Sequence, residues 1–284
     1  APSASPAPAP VATALPAARA ATAAIDLQWS RRKVRTATLP QIERKVALVI
    51  GVANYQDASI PELRNSVRDA KSVGQMLETK FGYETLVLED ASRASVVTAL
   101  NRLALTAGPK DSVIVYYAGH GELVKATGLG YWLTADSRAQ DPKSWLANTD
   151  INRLVSQIGA GQVALVSDSC FSGSLTSDER IRGSSTPPNA QSILQRRSVV
   201  VMSSGANEPV FDEGRDGHSP FAYHLMGTLS QVKDWQVGGN VFERVRFAVA
   251  KSLPQRPQYS AAPSAGHQPG GDYLFEAREL ETAR

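Results

Sequence analysis

Val113-Ile114-Val115-Tyr116-Tyr117-Ala118-Gly119-His120-Gly121 is an apolar run that stops on a histidine between two glycines. A strand with one wet face alternates apolar and polar residues, whereas this run is apolar throughout and reads as a strand covered on both faces. Val46-Ala47-Leu48-Val49-Ile50-Gly51-Val52, Val163-Ala164-Leu165-Val166 and Val199-Val200-Val201-Met202 have the same character, and Thr85-Leu86-Val87-Leu88 reads as a further strand. Between the runs the period changes to that of a helix. Residues 64–81 place Val67, Ala70, Val73, Met76 and Leu77 on one side, with Gly82 as a stop. Residues 92–106 do the same with Val96, Val97, Leu100, Leu103 and Ala104. Further helices are predicted over 149–158, 219–232 and 239–252, and a last short strand at Tyr273-Leu274-Phe275. Strands alternating with helices predict an α/β fold with a mostly parallel central sheet flanked by helices.

The remaining composition narrows the function. The 284 residues are 42% apolar and 20% charged, enough for one large domain or two small ones. The net charge is +3 and the basic residues are scattered, so no stripe for nucleic acid is present. No apolar run reaches the length of a membrane span. The single cysteine excludes an intramolecular disulfide. Residues 1–24 are almost wholly Ala, Pro and Ser and read as a disordered tether, followed by a solvated basic linker with Arg31, Arg32, Lys33 and Arg35. The opening reads as a mature end after removal of a signal peptide, which predicts a periplasmic or secreted protein; a cloned fragment reads the same, and a cytoplasmic location is the alternative.

Two apolar runs end in residues with chemistry. One gives Gly119-His120-Gly121, the other Ser167-Asp168-Ser169-Cys170-Phe171-Ser172-Gly173. If their strands are parallel neighbours, His120 and Cys170 share one sheet edge, where an imidazole can deprotonate a thiol. The plain alternative is a polar loop histidine and a buried, inert cysteine. Two polar stretches, 174–197 and 203–218, follow the strands that begin at 163 and 198, in the position where α/β sheets place their sites.

Tyr117-Ala118-Gly119-His120-Gly121 and Asp168-Ser169-Cys170-Phe171-Ser172-Gly173 resemble the paired motifs of caspase-like cysteine peptidases of the metacaspase type. Leu48-Val49-Ile50-Gly51-Val52-Ala53-Asn54-Tyr55 and Leu63-Arg64-Asn65-Ser66-Val67-Arg68-Asp69-Ala70 resemble the first strand and first helix of the same family. The resemblance implies a caspase-like three-layer sandwich over residues 45–276, with a large part 45–173, a processing loop 174–197, a small part 198–276 and a tail 277–284. It implies Cys170 as nucleophile, His120 as base, and an oxyanion hole from the backbone of Gly121 and Cys170. Asp69 and Asp168 match the acids that bind Arg or Lys before the cut; the plain alternative for Asp69 is a solvated helix residue or a cap. Arg180, Arg182, Arg196 and Arg197 are candidate self-cleavage positions, and Arg31, Arg32 and Arg35 are similarly accessible by composition. Ala118 stands where many metacaspases have Ser, and Ser66 where many have Cys.

Partners implied are protein or peptide substrates. The resemblance calls for no cofactor and no metal ligand is assigned, calcium dependence stays open, and nothing sets the oligomeric state. The alternatives are an idle caspase-like regulatory module, or an Asp-specific caspase, against which Asp168 argues. His218 and His224 are the substitute bases if His120 is not one.

Overall fold

The computed structural model describes residues 34–36, 38–170, 175, 181, 189–205, 212 and 214–280. In chain order the first half has β1 (Val34–Thr36), β2 (Arg44–Gly51), α1 (Ser66–Phe81), β3 (Glu84–Glu89), α2 (Arg93–Thr106), β4 (Asp111–Ala118), β5 (Gly121–Val124), β6 (Leu129–Trp132), β7 (Leu146–Ala147), α3 (Asn148–Ser156) and β8 (Gln162–Asp168). The second half has α4 (Ala190–Leu194), β9 (Ser198–Ser203), α5 (Pro220–Leu229), β10 (Trp235–Val237), α6 (Gly238–Ser252), β11 (Gln258–Ala261), β12 (Leu274–Glu276) and β13 (Glu279–Leu280).

The central sheet runs β11-β9-β8-β4-β2-β3. Its first five strands in sequence, β2, β3, β4, β8 and β9, are parallel, and β11 closes one edge antiparallel. The four apolar runs are the four inner strands, buried along almost their whole length. Strand side chains alternate between faces, so each run serves two cores. Leu48, Ile50, Val115 and Leu165 pack under α2 and α3 with Leu100, Leu103 and Val155. Val49, Tyr116 and Val166 pack under α1, α5 and α6 with Val73, Leu77, Phe221 and Val245. The result is the three-layer α/β sandwich expected from the sequence.

Gly51 sets where α1 begins. A side chain on it would lie 2.7 Å from the Cα of Val67, so only glycine lets the first turn of α1 rest on the carboxyl end of β2. That contact carries Asp69 over the sheet edge.

The ends and the loops differ from expectation. The tail and linker readings stop short, because β1 pairs with β13 beyond both expected borders of the domain. Beneath that pairing Glu276 binds buried Lys45 at 3.0 Å and Arg278 at 2.7 Å, and accepts from Thr38 and the backbone of Leu39. The expected processing loop holds α4, capped by Asn189, whose side chain accepts from the backbone of Ser192. Strands β5, β6 and β7 form a small antiparallel sheet directly after His120. Elements of two to four residues carry too few side chains to show a period.

Candidate active site

Strands β4 and β8 pair in parallel with Ala118 opposite Asp168. His120 and Cys170 each lie two residues beyond that pair, so the register alone brings them to the same edge. The two turns also touch. Gly119 N donates to Asp168 O at 3.4 Å, and a side chain on Gly121 would strike the Cys170 carbonyl at 2.1 Å. A cleft of about 420 Å³, open mouth included, is lined by His120, Cys170, Asp69, Asp168, Asp212 and Ser219 among others.

His120 is held at three points. Its backbone N–H donates to the Tyr55 hydroxyl at 2.9 Å, and the Tyr55 ring lies 5.2 Å from the imidazole. Its carbonyl accepts from the Tyr117 hydroxyl at 2.7 Å, and Tyr117 is stacked on Trp132 with ring centroids 4.2 Å apart. Its Nε2 is 2.8 Å from the carbonyl of Pro61. A carbonyl can only accept, so Nε2 carries the proton and Nδ1 keeps the basic lone pair. Cys170 is half-buried at the start of its turn. His218 and His224 do not line this cleft with Cys170.

The floor of the cleft is acidic. Asp69 is 1% exposed and Asp168 7% exposed, so Asp69 is neither a solvated helix residue nor an α1 cap. Asp69 accepts from Ser219 N at 3.0 Å and lies 2.6 Å from His218 Nδ1. Asp168 accepts from Ser219 Oγ at 2.5 Å. Burial pushes Asp69 up to about 7, with the Ser219 N–H pulling down and Asp212 adding a further upward push. Asp168 is likewise pushed up to about 7, first by burial and then by the charge of Asp69. Asp212 is anchored by the backbone N–H groups of Arg64, at 2.7 Å, and Asn65. Sequence reading did not single out Asp212 or Ser219. Their only signals were membership of the polar 203–218 stretch and the Ser219-Pro220 helix-start pair.

The candidate cleavage positions separate. Arg197 places its guanidinium on the carbonyls of Ala160 and Ile158, at 2.7 and 2.8 Å. Arg196 caps α4 through Ser192 O at 2.6 Å. Arg35 lies in β1. Arg180, Arg182, Arg31 and Arg32 lie outside the described residues.

Comparison with known proteins agrees with this architecture. The caspase domain model of the C14 peptidase family matches residues 44–265, and the chain belongs to that family. Metacaspase-1 of the yeast Meyerozyma guilliermondii is 33% identical over 93 residues, 29% of this chain and 22% of its own length. Metacaspase-7 of Arabidopsis thaliana is 29% identical over 169 residues, 52% of this chain and 40% of its own. The chain thus spans well under half of these relatives. Among solved structures, caspase-1 of Spodoptera frugiperda superposes with a TM-score of 0.61 at 12% identity, covering 86% of this chain and 93% of that one. A Geobacter sulfurreducens protein superposes at 0.55 with 17% identity, covering 81% and 99%. At those identities the structural likeness speaks for the fold.

Proposed function

We propose that the protein is a cysteine endopeptidase that cuts peptide bonds after Arg or Lys. The observation that carries the reading is the β4–β8 register, which delivers His120 and Cys170 to the rim of a cleft floored by buried carboxylates. His120 Nδ1 takes the Sγ proton, and the thiolate adds to the scissile carbonyl. The resulting oxyanion is held by the backbone N–H groups of Gly121 and Cys170. The imidazolium then protonates the leaving amine as the C–N bond breaks. Water, losing its proton to His120, hydrolyses the thioester. No carboxylate is needed to orient the imidazole, because the Pro61 carbonyl does it.

Asp69 and Asp168 form the base of the pocket for the residue before the cut, and Asp212 joins them. Carboxylates buried with no arginine or lysine hydrogen-bonded to them among the described residues favour a guanidinium or ammonium that arrives with its own charge. Self-processing is directed to Arg180 and Arg182. The bond after Arg197 leads straight into β9, and opening it requires breaking the central sheet.

The test is a fluorogenic peptide library varied at the residue before the cut, run on wild type and Cys170→Ala. The expected result is hydrolysis after Arg and Lys by the wild type alone. Cleavage confined to Asp would remove the pocket assignment, and no labelling of Cys170 by an arginyl chloromethyl ketone would favour an idle module.

A further inference from the structure

His218 and Ser219 hold both acids of the floor from a segment distant in sequence. Ser219 N and His218 Nδ1 take the two oxygens of Asp69, at 3.0 and 2.6 Å. Ser219 Oγ donates to Asp168, and the same oxygen accepts from Ala222 N at 2.9 Å as the cap of α5. Ser219 is therefore committed to one orientation and cannot change charge. His218 can. Its side chain is 15% exposed, and it also lines a second, open groove with Asp216, Tyr223 and His224. It stands between the acid floor and water, with a route for a proton on its outer side.

We propose, building on the reading of the cleft as a site for a basic residue, that His218 is the specificity-determining positioning residue of that pocket. Neutral, it presents Asp69 to the substrate as an anion; protonated, it takes the place of the substrate's cation. One proton on the His218–Asp69 pair cancels the anion whichever atom bears it. An arriving guanidinium and that proton compete for one carboxylate, and binding of the former releases the latter to solvent. Acceptance of Arg is thereby gated by pH from the pocket, separately from the titration of His120 and Cys170.

The charged neighbours set the range. From α1 come Asp69 and Arg68, whose guanidinium lies against Gly217. Strand β8 supplies Asp168 and β4 supplies Tyr116, while the connecting segment supplies Asp212, Arg215 and Asp216. Helix α5 adds Tyr223 and His224, and α6 offers only Ala248 in the adjoining groove. Burial, then Arg68, hold His218 below its ordinary value, with Asp216 pulling the other way. Both causes favour a neutral imidazole that donates through Nδ1 to Asp69, and the proton that cancels the anion is one the pair shares.

The experiment measures KM and kcat from pH 5.5 to 8.5 for peptides with Arg or the uncharged citrulline before the cut. Asn places an amide donor where Nδ1 stands and cannot be protonated. His218→Asn should keep the wild-type KM for Arg at pH 8 and give about threefold lower KM than wild type at pH 6, a partial shift because buried Asp69 and Asp168 still take up protons of their own. Its kcat profile and its citrulline KM should follow the wild type. His218→Leu should raise the Arg KM at pH 8 about tenfold, as a hydrogen bond to a charged group is lost. If the Asn variant reproduces the wild-type KM profile, the role of His218 falls and the basic pocket stands. If wild type treats Arg and citrulline alike, the basic pocket itself falls, and His218 with it.

Discussion

The two ends of the central sheet bury charge in opposite ways. At the amino end, Lys45, Glu276 and Arg278 form a closed set in which each charge meets its complement within 3.0 Å and the leftover donors reach the backbone. At the carboxyl end, Asp69 and Asp168 are also buried, yet among the described residues the donors hydrogen-bonded to them are neutral or titratable. Burial, with the Arg278 charge adding to it, holds Lys45 down to about 7 against the upward pull of Glu276. Burial pushes Glu276 up, but Lys45 and Arg278 outweigh it and leave the carboxyl below its ordinary value. At the two aspartates burial wins instead: Ser219 and Arg68 pull Asp69 down and Ser219 and Ser204 pull Asp168 down, yet both carboxyls stay above their ordinary value. A charge set that is complete serves the fold. A set that lacks one cation is what the proposed pocket for a basic residue calls for, since perturbed carboxylates gather at binding sites.

The largest effect should come from the residues at the rim. Cys170→Ala and His120→Ala should each lower turnover by about 10³-fold or more with the thermal midpoint nearly unchanged, and the double variant should be no worse than either, because the two act as one unit. At the amino end, Glu276→Gln leaves Lys45 and Arg278 buried without an anion. Chemical denaturation at pH 7 should show a loss of about 3–5 kcal/mol, with kcat/KM unchanged in the protein that stays folded. An equally stable variant would mean that the amino-end set is not the closed system described.

Asp168→Asn should separate function from stability. Cleavage after Arg should weaken by about 2–5 kcal/mol in kcat/KM, while the fold gains. Between its unfolded value of 3.8 and about 7 the native Asp168 binds more protons than the unfolded chain. Stability therefore declines as pH rises through that window. Asn removes the decline, so its midpoint should exceed that of wild type by about 2–4 °C at pH 8 and by little at pH 5. A loss of stability at pH 8 would erase the contrast between the two ends. Smaller again is the pH effect on wild type: kcat/KM for Arg substrates should fall about tenfold per unit below pH 7, as one pocket carboxylate after another takes a proton. Tyr55→Phe, which removes only the acceptor for His120 N–H, should cost about 1 kcal/mol in kcat.

The meeting of His120 and Cys170 at one sheet edge was readable because it is local. His120 and Cys170 each follow directly on an apolar run, and pairing of the runs does the rest. Asp168 and Asp69 were singled out through the family resemblance alone. Asp212, His218 and Ser219 were not legible, because their approach to the floor depends on how the segment before α5 folds back over α1, and no spacing within 203–219 encodes that. The fold divides likewise. Inner strands declare themselves by unbroken apolar runs and long helices by period, while β1, β10 and β13 exist only as partners of strands far away in sequence. Arg197 shows the same limit from the other side: its chain position suggested an exposed cleavage point, and its three-dimensional position makes it a brace between strand, turn and loop.

The lateral bonding of β8 to β9 has one more consequence. These strands flank the segment 171–197 and lie side by side along six registered residue pairs. The piece before the segment supplies four strands of the sheet, the piece after it supplies β9 and β11, and Tyr273 reaches back to Ser112 and Tyr83 at 2.8 and 2.5 Å. A backbone severed in that segment therefore yields a heterodimer with the outline of the parent. Maturation would change the number of polypeptides without changing the number of particles, so a sizing column would see one species where a denaturing gel sees two.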